Sequence, residues 1–66
     1  MEIRLNGEPH ALSKRVTVAE LLTALGHTGK RVAVERNGEI VPRSQHDGTV
    51  VQPDDRIEIV VAVGGG

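Results

Sequence analysis

Apolar and charged residues alternate near both ends of the chain. Met1, Ile3 and Leu5 sit on one side of Glu2 and Arg4, the two-residue period of a strand with one buried face. Asn6-Gly7 follows, a turn pair in which both residues tolerate positive φ, so a hairpin is expected. The return strand is Glu8 to Leu12; Pro9 lacks an N–H, which assigns this strand to a sheet edge. At the other end, Ile57, Ile59, Val61 and Val63 point one way, and Arg56, Glu58, Val60 and Ala62 the other. This is the longest strand signal in the chain.

Between them the period changes. Thr17-Val18-Ala19-Glu20 is a capping box, and Val18, Leu21, Leu22 and Leu25 fall at i, i+3, i+4 and i+7, one apolar stripe of a helix. The helix is expected from Val18 to Leu25, with Gly26 as its left-handed cap. Val32 to Glu35 reads as a short strand, Arg36 to Glu39 as a second Asn-Gly turn, and Ile40-Val41 as another short strand ended by Pro42. Arg43 to Gly48 is irregular or one helical turn, Thr49 to Val51 an extended stub, and Gln52 to Asp55 a turn. One helix on one face of a mixed four- to five-stranded sheet is an α+β arrangement. Set side by side and parallel at the centre, the first and last strands offer Ile3, Leu5, Ile57, Ile59 and Val61 to the helix. That is the β-grasp, or ubiquitin-like, fold, here spanning residues 1–63, with 64–66 as a flexible tail.

Composition narrows the function. Sixty-six residues without cysteine leave no disulfide, thiolate metal site or thiol nucleophile. No Phe, Trp or Tyr is present, and eight Lys plus Arg against nine Asp plus Glu give a net charge of -1. Neither base stacking nor phosphate attraction therefore favours nucleic acid. No apolar stretch approaches the ~20 residues of a membrane helix and no signal-peptide pattern is visible, so a cytoplasmic protein is expected. With so small a core, nearly every Ile, Leu and Val is expected inside, leaving little for a deep pocket. The expectation is a module whose partner supplies the cavity, and not an enzyme.

The chemistry-bearing feature is Gly64-Gly65-Gly66, directly after the long strand. Three adjacent glycines there would arise by chance in fewer than about one such chain in a thousand. The plain reading is a frayed end. The functional reading uses the missing Cβ atoms: such a tail is thin enough to thread a channel in another protein and deliver a carboxylate to a buried site. Joined to AMP, that carboxylate becomes an electrophile, and a sulfur nucleophile can displace AMP.

Several stretches together resemble one family. They are Met1-Glu2-Ile3-Arg4-Leu5-Asn6-Gly7, Thr17-Val18-Ala19-Glu20-Leu21-Leu22, Val32-Ala33-Val34-Glu35 followed by Asn37, Ile40-Val41-Pro42-Arg43-Ser44-Gln45-His46, Asp55-Arg56-Ile57-Glu58-Ile59 and the glycine end. The chain resembles, over its whole length, the sulfur carriers of thiamine thiazole biosynthesis, the ThiS family. The resemblance implies a carrier with no bound cofactor. A ThiF-like adenylating enzyme would consume ATP to activate Gly66. A cysteine desulfurase or other persulfide donor would supply sulfur, and a ThiG-like thiazole synthase would take it from the Gly66 thiocarboxylate. Gly65 and Gly66 would be the reacting end, with Gly64 at the partner. A molybdopterin-type carrier and a ubiquitin-like modifier are the alternatives.

Three further residues are candidates for partner contact. Val60 and Ala62 are apolar on the face away from the helix, next to the tail, and suit docking. Arg43 suits a partner carboxylate, or equally caps the turn after Pro42. His10, His27 and His46, spaced 17 and 19 apart, lack a close ligand pair and read as solvent-exposed. Lys14-Arg15 and Lys30-Arg31 read as solvated surface.

Overall fold

The two Asn-Gly pairs set the frame. In the computed structural model, which describes residues 1–62, Asn6 and Gly7 have φ of 51° and 84°, and Asn37 and Gly38 have 53° and 86°. Two successive positive φ values match the twist of a tight hairpin, and Gly takes the second position without steric cost. The first turn joins β1 (Glu2–Leu5) to β2 (Glu8–Ala11), and the second joins β3 (Val32–Arg36) to β4 (Glu39–Ile40). Between the hairpins runs β5 (Arg56–Val61), giving the order β2-β1-β5-β3-β4. β5 is parallel to β1 and antiparallel to β3. Each turn asparagine also holds β5: Asn6 Oδ1 accepts from the Ile59 N–H at 2.8 Å, and Asn37 Oδ1 from the Arg56 N–H at 2.9 Å. β2, with Pro9, lies at an edge as expected.

Helix α1 (Val18–Ala24) starts on the capping box: Glu20 N–H donates to Thr17 Oγ1 at 3.1 Å, and Thr17 N–H to Glu20 Oε1 at 2.8 Å. The two preceding helical N–H groups are met from outside. Val18 donates to the Thr49 carbonyl at 2.9 Å and Ala19 to the His46 carbonyl at 3.0 Å, so the first-turn donors up to Glu20 are all paired. The helix ends one residue earlier than its apolar stripe suggests, with Leu25 as C-cap and Gly26 beyond it at φ 81°. Val18, Leu21 and Leu22 form one core with Ile3, Val34, Ile57 and Ile59 of the sheet and with Val41 and Val51 of the connecting segments. Leu5 and Val61, expected beneath the helix, are half-buried at its margin. One helix on a mixed five-stranded sheet with a central parallel pair is the β-grasp architecture.

Two local expectations need correction. β4 is Glu39–Ile40, not Ile40-Val41. Its register sets Ile40 opposite Glu35 on the outer face, where Ile40 is 64% exposed. Val41 instead turns into the core, its N–H donating to the Val34 carbonyl at 2.8 Å. Near-complete burial of Ile, Leu and Val therefore does not hold, Val60 being exposed as well. Arg43–Gln45 forms a 3-10 turn. Around Val50 the extended stub makes a single bridge, to Thr17.

Candidate functional site

β5 is the last strand before the glycines. Its antiparallel register with β3, from Arg36↔Ile57 to Val32↔Val61, continues through the Ala62 N–H, which donates to the Arg31 carbonyl at 2.9 Å. The backbone is thus hydrogen-bonded up to the last described residue. Val63 and the glycines proposed as the reacting end, Gly64, Gly65 and Gly66, lie outside the described residues, as does the boundary between domain and tail.

Val60 sits opposite Ala33 on the face away from the helix and is 68% exposed; Ala33 and Ala62 are exposed too. An apolar patch at the base of the tail is therefore open to solvent. Glu58 and Glu35 pair across β5 and β3 on the same face, so the patch gives way to negative charge one step back along the strands. Arg43 does not join this patch. It opens the 3-10 turn and lines a cleft with Leu22 and Thr23 of α1, with His27, and with Lys30 and Arg31 of the 27–31 loop. The three candidates for partner contact thus lie apart, Val60 and Ala62 on the open face of the sheet and Arg43 on the helix side.

His46 corrects the reading of all three histidines as exposed. It is buried, with Nε2 3.0 Å from the Val41 carbonyl, while its own carbonyl accepts from Ala19 at the helix start. It ties the 41–46 segment to α1. No linear spacing signals this, because its partners come from tertiary packing. His10 and His27 are half-buried. Among the described residues no group of three or more metal-binding side chains exists, and no helix is long and apolar enough to cross a membrane.

The buried carboxylate is Asp55. It accepts from Arg36 Nε at 2.6 Å, Gln52 N–H at 2.8 Å and Asn37 Nδ2 at 3.0 Å. Burial pushes its pKa up, but the bonds from Arg36, Gln52 and Asn37, with the Arg36 charge, outweigh burial and hold it below the usual carboxylate range. These bonds fix the turn that launches β5 and are structural; beyond the Asp-Asp turn itself, no local pattern signals them.

A family model, that of the ThiS family, matches residues 3–66. The chain belongs to the ThiS family. A crystal structure of a thiamine biosynthesis protein (ThiS) from Geobacter metallireducens superposes on this ThiS-family chain with a TM-score of 0.85, at 36% identity and over the whole of both chains. A relative named thiazole synthase from Magnetococcus marinus is 47% identical over 66 residues, and one of the same name from Paramagnetospirillum magneticum 46%. The chain spans 20% of the length of each. An uncharacterized protein, ycf40, of Pyropia yezoensis is 36% identical over 66 residues, 93% of its own length.

Proposed function

We propose that this ThiS-family chain is a sulfur carrier for thiazole synthesis in thiamine biosynthesis. The observation that carries the reading is a family match that runs through Gly66. Relatives named thiazole synthase that contain a region matching the whole chain support thiazole synthase as the receiving partner.

In this reading the Gly66 carboxylate attacks the α-phosphorus of ATP on a ThiF-like adenylating enzyme, and pyrophosphate leaves. The outer sulfur of a cysteine persulfide then attacks the acyl carbon and AMP leaves, giving an acyl disulfide; a thiol cleaves its S–S bond, releasing the thiocarboxylate and leaving the two thiol sulfurs as a disulfide. Thiazole synthase takes the sulfur and the carboxylate returns. The carrier is a cosubstrate, with no cofactor of its own. Its part is mechanical: β5 anchors the base from which the glycines continue, the absence of Cβ atoms at Gly65 and Gly66 lets them enter a narrow channel, and Val60 and Ala62 supply apolar contact beside the entry.

The test is mass analysis of the peptide Ile57 to Gly66 after incubation with ATP, a cognate adenylating enzyme and a cysteine-desulfurase system. This peptide contains no methionine, so a sulfur-for-oxygen gain is not confused with oxidation. The expected result is that gain, followed by its loss when thiazole synthase and its substrates are added. No gain, with the enzymes active on another carrier, overturns the reading.

A further inference from the structure

The cleft beside α1 has a one-sided charge distribution. It measures about 310 Å³ and is walled by Ala19, Leu22 and Thr23 of the helix, by the 27–31 loop and by Arg43 and His46. Lys30, Arg31, Arg43, His27 and His46 all line it, and no Asp or Glu does. In a chain of net charge -1, three of the eight Lys and Arg residues and two of the three histidines thus converge on one half-enclosed space. They come from segments more than ten residues apart, brought together by the loop after α1 and the 3-10 turn. His27 contributes its ring to the wall, with its Nδ1 shielded from solvent and without a hydrogen-bond partner among the described residues.

We propose that this cleft binds a small phosphoryl anion. Guanidinium groups pair with phosphoryl oxygens through two parallel N–H···O bonds, and lysine adds a point charge. The space equals roughly ten waters at liquid density, so pyrophosphate with part of its hydration fits. The shared chemistry is the phosphoryl group, free as inorganic phosphate or pyrophosphate, or carried as an ester by a nucleotide such as AMP. The inference stands on the cleft alone and does not depend on the sulfur-carrier reading.

The experiment is a titration of the ¹⁵N-labelled 66-residue chain, followed by amide shifts at constant ionic strength, with inorganic phosphate, pyrophosphate and AMP in separate arms. Expected are saturable shifts concentrated in residues 27–32 and 43–46. Affinity should fall by about tenfold or more when Lys30→Gln, Arg31→Gln and Arg43→Gln are combined. Retained spectral dispersion of that variant confirms its fold, and Arg43→Gln alone, expected to weaken binding less, serves if the triple variant unfolds. Pyrophosphate tighter than AMP identifies the free anion; AMP tighter, with the same residues shifted, identifies the ester. Shifts that do not saturate, that spread equally to Arg4, Arg15 and Arg56, or that persist unchanged in the variants overturn the proposal.

Discussion

Asp55 shows how much can rest on one carboxylate. It meets three donors, and its own carbonyl accepts from Arg4 N–H at 2.9 Å. Arg36 is one-third exposed, so solvent screens part of its charge. Most of the cost of Asp55→Ala comes from losing the Arg36 pair and leaving the half-buried Gln52 N–H without its acceptor, since Asn37 is exposed and can bond to water. Urea unfolding should show a loss of about 2–3 kcal/mol. The pH dependence follows from a folded pKa held below its unfolded value. This stabilisation is complete above the ordinary carboxylate range and disappears as pH falls through the lower, folded-state pKa. Asp55→Asn should flatten that part of the acid limb, measured as Tm against pH. The acidic turn Gln52–Asp55 was legible, since Pro53 and two aspartates favour one. The partners were not, because Arg36 and Asn37 lie 18 or 19 residues back and meet Asp55 only after β3 and β5 pair.

The helix has only seven residues and does not persist by propensity. Its start is held by the Thr17 and Glu20 reciprocal bonds and by carbonyls of the 46–49 segment. Thr17→Ala should cost about 1 kcal/mol in chemical denaturation. Leu21→Ala, at a site 1% exposed, should cost about 2–5 kcal/mol and bring a domain of this size close to unfolding. Capping box, apolar stripe and both Asn-Gly turns were readable because each depends on side chains within a few residues of one another. The inward turn of Val41, the exposure of Ile40 and the burial of His46 were not. They are decided by which face of β3 the β4 register meets, and a two-residue strand carries too little alternation to specify a face.

At the scale of the whole molecule, the fold separates stability from contact. Val60 is outside the core, so Val60→Asp should change unfolding free energy by no more than about 0.5 kcal/mol. In the sulfur-carrier reading it should lower kcat/KM for adenylation by about tenfold, in a pyrophosphate-release assay, by charging the docking patch. Extending the chain beyond Gly66 should abolish adenylation with circular dichroism unchanged; an extended chain activated at the normal rate would refute a free Gly66 as the reacting group. The glycine run and the outward Val60 and Ala62 were visible in the sequence, one as composition and the others as strand parity. The division that leaves Arg43 on the helix side was invisible, since nothing local relates residues 43 and 60. The central position of β5 has a further consequence. A partner drawing the tail taut would pull along β5, whose neighbours run parallel to it on one side and antiparallel on the other. Tension would then load the hydrogen bonds of both ladders together in shear instead of opening them one at a time. The domain is built to be held by its end, and pulling from Gly66 against Met1 should give a higher rupture force than pulling β4 away from β3 like a zip.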